Sequence, residues 1–99
     1  MQFIATLTHS PDHCWAREDR ADDAREWIST MHTRAEEQGI HLQGAYVATN
    51  EHTFYFILES DDFGAVSSFL GPPLLTDHTA HITPVGNLEE IARIFIEME

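Results

Sequence analysis

The sequence predicts a single α+β domain with elements in the order β-α-β-β-α-β and one more helix at its end. Three observations predict it. Short runs rich in β-branched and aromatic residues alternate with stretches whose apolar residues recur at helical spacing. Gly, Pro and Asn stand between them as punctuation. The chain is 99 residues long and 42% hydrophobic, enough for one packed core and too short for two.

Gln2 to His9 is β-rich and apolar on both faces, which reads as a central strand. Ser10-Pro11-Asp12 has the order of a helix start, with a capping Ser, Pro at the first position and an acid near the positive end of the dipole. A helical stretch then runs to about Gln38. Ala24, Trp27, Ile28, Met31 and Ala35 mark its inner face, and Gly39 stops it. Residues Arg17 to Asp23 are so polar that a second start near Asp22 competes with the one at Ser10. His41 to Thr49 reads as the second strand, with a bulge at Gly44, and Asn50-Glu51 as a turn. Thr53 to Glu59 is the strongest strand signal in the chain. Ser60 would cap a short helix from Asp61 to Leu70 with Phe63, Val66, Phe69 and Leu70 inward, ended by Gly71-Pro72-Pro73. Asp77 to Val85 follows as the fourth strand. Asn87 with Glu90 forms a box-like cap for a last helix faced by Leu88, Ile91, Ile94, Phe95 and Met98.

That order is the ferredoxin-like arrangement of two interlocked βαβ units. Right-handed crossovers place both helices on one face of an antiparallel sheet of order 4-1-3-2. The other face, with Ile4, Tyr55 and Ile57 or their neighbours, is left bare, and a bare, partly apolar face predicts pairing with a second copy.

Thr8-His9-Ser10-Pro11-Asp12, the aromatic strand Phe54-Tyr55-Phe56, the helix from Asp61 to Leu70 and the strand His81-Ile82-Thr83-Pro84-Val85 carry a resemblance over nearly the whole chain. It resembles the dimeric α/β-barrel superfamily, in which two ferredoxin-like protomers pack sheet to sheet, and within it short families such as the YCII-related group. The resemblance implies a homodimer or higher oligomer. It chooses no reaction, because the superfamily includes monooxygenases, isomerase-like enzymes, haem proteins and sensor domains.

Charge narrows the partners. Seventeen Asp and Glu stand against five Arg, Lys is absent, and the net charge is −12. A nucleic-acid partner needs a basic patch that is missing here. The absence of Lys excludes a Schiff-base lysine and a lysine general acid. No apolar run approaches the roughly 20 residues of a membrane span, so no membrane partner is expected. The single Cys excludes an internal disulfide framework, and the start of the chain lacks a signal-peptide layout; a cytoplasmic location is the expectation. Acid excess without Lys resembles halophilic proteins, where screening relieves self-repulsion. Cation binding and a merely solvated acidic surface are the competing explanations.

Seven His and one Cys are the residues most able to carry chemistry. In the 4-1-3-2 order the end of the first strand and the start of the fourth meet at one sheet edge. His9 and His78 share the helix-side parity there, and Cys14 lies on the connection above them. Two imidazoles and a thiolate suit zinc, copper, nickel or iron and do not suit calcium or magnesium. His9, Cys14 and His78 are therefore the expected transition-metal ligands, with His13 as a further one. Against this stands the plainer reading: surface His and a small packed Cys. Cys14 in the first turn of a helix would instead be a reactive thiol.

A second site lies on the opposite sheet face. Tyr55, Glu59 and His81, with Tyr46 and Thr83, face the interior of a dimeric barrel, where Tyr, His and Glu can serve as acid and base near neutral pH. Packing at a dimer interface explains the same residues. Trp15 and Trp27 read as core or lid. The function predicted first is a metal-binding oligomer. A small-molecule enzyme of the monooxygenase or isomerase kind, and a ligand-sensing or structural oligomer without chemistry, remain the alternatives.

Overall fold

The computed structural model describes residues 1–97. Four strands, β1 (Gln2–Thr8), β2 (His41–Ala48), β3 (Thr53–Glu59) and β4 (Thr79–Val85), form one antiparallel sheet of order β2-β3-β1-β4. This is the ferredoxin-like order read from the sequence. The helices are α1 (Ala21–Glu37), α2 (Phe63–Asp77) and α3 (Leu88–Glu97). Among the described residues no helix is long and apolar enough to cross a membrane.

The pairing follows from the alternation of the strands. Leu7 faces Phe54 and Ala80 across β1, Ala5 faces Phe56 and Ile82, and Phe3 faces Leu58 and Pro84. That parity builds the core: Phe3, Ala5, Leu7, Phe56 and Leu58 pack against Ala24, Trp27 and Ala35 of α1 and Val66, Phe69, Leu70 and Leu74 of α2. Trp27 stacks edge-on against Phe56, with ring centroids 5.5 Å apart, and packs at the same distance on Phe69. The other parity, including Ile4, Thr6 and Thr8, lies on the open face. β2 slips register between Leu42 and Gly44. A Cβ at Gly44 would stand 2.7 Å from the Tyr46 ring, so glycine lets that ring lie over the irregular stretch.

Several elements depart from the sequence-based expectation, each for a local reason. Pro11–His13 is only a 3₁₀ turn, and the long helix begins at Ala21. The polar stretch from Ala16 to Asp19 has nothing to bury, so no amphipathic face exists to hold helix there. Cys14 therefore lies ahead of the helix and not in its first turn, where a reactive thiol was expected. Ile28, expected inward, is 55% exposed, and Phe63 is 54% exposed although its ring still touches that of Phe3. The cap of α2 is Asp62, which accepts from the Gly64 N–H at 2.9 Å; Ser60 bonds Asp62 instead. Gly71 (φ +26°) and the extended Pro72 break α2, yet another helical turn follows to Asp77. A Pro-Pro pair stops a helix, but it can also open one, because the missing N–H groups are free in a first turn. β4 accordingly begins at Thr79. Every residue of α3 is exposed, and Met98, expected on its apolar face, lies outside the described residues.

The loop between β1 and α1 is tied down by one ion pair. Arg20 Nη1 bonds Asp77 Oδ2 at 2.7 Å, and the Asp77 side chain is only 7% exposed. Truncating Arg20 leaves a buried carboxylate unpaired. Arg20→Met is expected to lower unfolding free energy by about 2–4 kcal/mol in urea. Arg25→Met, whose partner Asp22 is exposed, should cost about 0.5 kcal/mol or less. Equal effects from the two substitutions would show that the buried pair does not anchor the loop.

Candidate metal centre

The sheet edge where β1 ends carries three His from three segments. The β1 ladder continues beyond Thr8. Thr8 pairs with Thr53 on one side and Thr79 on the other, so His9 comes next to His52 and His78. His9 N–H donates to the His52 carbonyl at 3.1 Å, extending the sheet by one step. His52 takes a left-handed conformation (φ 51°, ψ 45°) at the end of the turn between β2 and β3. A side chain other than Gly is strained there by about 1 kcal/mol. His78 sits where α2 gives way to β4.

The break at Gly71 has a consequence for His78. The extra helical turn ends with free carbonyls, as every helix does, and that of Leu74 accepts from His78 Nδ1–H at 2.8 Å. A carbonyl cannot donate, so Nδ1 holds the proton. Burial lowers the His78 pKa, with smaller opposing contributions from the Leu74 hydrogen bond and Asp77. The ring is therefore neutral at pH 7, and its Nε2 is an acceptor. His9 Nδ1 lies 3.0 Å from that Nε2 and must donate to it. Burial also lowers the His9 pKa, reinforced by His78, then His52 and His13. His9 is then neutral as well, with its lone pair on Nε2. That atom is buried with no hydrogen-bond partner among the described residues. A lone pair in that state costs about 1–3 kcal/mol unless something binds it.

His9, Cys14 and His52 each offer a ligand atom within 4.8 Å of the others. Ligand atoms in a closed tetrahedral zinc shell stand roughly 3.3–3.7 Å apart given the usual bond lengths, so side-chain movements of about 1 Å close this set. The Sγ of Cys14 accepts the Ala16 N–H at 3.5 Å. Trp15 walls the site, with its ring 5.7 Å from His78 and 5.5 Å from Phe54. The Nε1 atoms of Trp15 and Trp27 are also buried and unpaired; both indoles pack against aromatic rings, which are weak acceptors.

Of the expected ligands, His9 and Cys14 are brought together. His78 reaches the group through its hydrogen bond to His9 and is not among the three. His13 is exposed, with Nδ1 on Ser10 Oγ at 2.9 Å. His52 was not foreseen, because Asn50-Glu51 reads only as a turn. Part of the signal was present: the strand order brings the start of the third strand beside the end of the first, and the Thr8–Thr53 register then sets His52 opposite His9.

Tyr55, Glu59 and His81 lie on the open sheet face. Thr6 separates Tyr55 from His81, one on each neighbouring strand, about 10 Å apart by strand spacing. Glu59 is four residues beyond Tyr55, about 13 Å along the strand. The Tyr55 hydroxyl instead donates to Glu51 at 3.4 Å.

No protein-family model matches the chain, and no curated protein matches it. Among solved structures it is similar to a Deinococcus radiodurans protein provisionally described as an antibiotic biosynthesis monooxygenase, at 17% identity and a TM-score of 0.44, over 87% of this chain and 92% of that one. That likeness carries no inference about activity; the fold rests on the strand order and register above.

The lowered pKa values fix the direction of an acid effect on the metal-free protein. In the unfolded chain His9 and His78 take up protons near 6.5; in the folded chain they do so only at lower pH. Their contribution is complete above about pH 6.5 and is lost as pH falls toward the folded-state values. Urea midpoints should therefore drop from pH 7.5 to 5.5 and drop less in His9→Gln. An identical slope in the variant would show that these rings do not titrate as described.

Proposed function

We propose that this protein binds a transition metal ion, with His9 Nε2, Cys14 Sγ and a ring nitrogen of His52 as ligands. The observation that carries the reading is the His9 lone pair, buried without a partner among the described residues and turned away from His78 by the Leu74–His78–His9 hydrogen-bond chain. An N,N,S set with room for a fourth ligand fits zinc, copper, nickel or iron. His78 acts through His9, holding its tautomer and ring orientation as outer-shell partners of metal-bound imidazoles do. A metal ion would satisfy the lone pair, offset the strain at His52 and add positive charge to a chain of net charge −12.

Zinc or cobalt should bind at one ion per chain in competition with a chromophoric chelator. His9→Ala, Cys14→Ser and His52→Ala should each weaken binding about tenfold or more. His78→Ala should weaken it about tenfold by freeing the His9 ring. His13→Ala and the distant His32→Ala should stay near wild type. Binding that survives all four site substitutions would place any metal elsewhere.

The chain also fits self-association. Ile4 and Tyr46 are exposed on the open sheet face, and Leu88, Ile94, Phe95 and Ile96 are exposed on α3, more apolar surface than a monomer ordinarily leaves to water. A homodimer should show about twice the 11.3 kDa chain mass by light scattering at micromolar concentration in molar KCl. A monomer mass under those conditions rejects the pairing.

A further inference from the structure

The candidate centre lines a cleft of about 400 Å³ between α1 and the β2–β3 hairpin, whose other walls include Trp15, Ala16, Ala24, Ile28, Val47 and Phe54. A second cleft of about 210 Å³ shares Trp15, Ile28, Val47 and Phe54 with it and runs on to Met31 and Trp27. Such volumes suit a small molecule. Among the described residues no Asp, Glu or Arg lines either cleft, in a chain with seventeen acids. Besides Thr49, the polar residues of the first cleft are the grouped His9, Cys14 and His52.

We propose, resting on the metal reading, that the cleft takes a flat, uncharged apolar molecule whose single nitrogen or sulfur donor completes the metal shell. The donor type follows from the ligand set, since an ion held by two imidazoles and a thiolate favours nitrogen or sulfur over oxygen. The absence of charge follows from the walls and from the field. Apolar walls cannot solvate an ionised group, the net charge of −12 repels anions, and the ion itself repels cations. An aromatic, and so flat, body suits the Trp15 and Phe54 rings of the wall, which pack edge-on at 60° and offer faces and edges to another ring.

The test uses the full chain loaded with cobalt(II) at pH 8 and follows the cobalt absorption bands. Imidazole, 4-phenylimidazole and benzoate are titrated in turn. 4-Phenylimidazole should bind at least about tenfold tighter than imidazole, because its ring is buried in the cleft, and benzoate should bind more weakly than either. Ile28→Asn and Val47→Asn change rim positions that are 55% and 53% exposed. They should reduce the phenyl advantage to about twofold and leave cobalt affinity unchanged. Equal binding of the two azoles, tighter binding of benzoate, or a phenyl advantage that survives both substitutions overturns the proposal while the metal reading stands. A chain that takes up no cobalt overturns the metal reading, and this one with it.

Discussion

The hydrogen-bond chain from the Leu74 carbonyl through His78 to His9 is the constraint on which the rest of the site depends. Each link removes a freedom that an imidazole ordinarily keeps. The carbonyl fixes the proton on one nitrogen of His78, His78 fixes it on one nitrogen of His9, and burial keeps both rings uncharged. What emerges is a lone pair at a defined place on a histidine that is grouped with a thiol and a third imidazole. Without the Leu74 carbonyl the His9 ring could hold either tautomer and either orientation.

That carbonyl is available because α2 breaks and restarts. The Gly71-Pro72 interruption lets the chain lay down another helical turn, and the end of that turn meets the end of β1. The same turn supplies Asp77, whose buried pairing with Arg20 holds the loop that carries Cys14 and Trp15. The centre is thus assembled from three loops, each fixed by its own local device: a helix restart for His78, an ion pair for Cys14, and a left-handed turn for His52. Among the described residues no Asp, Glu or Arg lines the clefts. That matters in a chain with this charge, because a carboxylate there would change both the donor chemistry and the field.

Much of the fold was legible in the sequence because its signals are short-range and consistent. Period-two alternation in Thr53–Glu59, helical spacing in the long helix and the Gly39 stop each agree with the strand order. The meeting of His9 with His78 was legible too, since strand parity fixes it. Other features depended on tertiary context. Pro72-Pro73 looks the same whether it ends a helix or opens the next turn. Ile28 has the spacing of a core residue, yet its place at the rim of a cleft is set by how α1 meets β2. His52 was hidden by its role as a turn residue. The position of α3, with its apolar face exposed, could not follow from its amphipathic pattern, which states only that the face needs a partner.

The measurement that tests the central claim most directly is the ¹⁵N spectrum of the histidine side chains at pH 8, recorded before and after one equivalent of zinc. The account predicts His9 and His78 neutral, both with the proton on Nδ1 and a bare Nε2. Zinc should then shift His9 Nε2 and a nitrogen of His52 while His78 keeps its tautomer. His9 found with its proton on Nε2, or zinc shifting His78 Nε2 as a direct ligand, would contradict it.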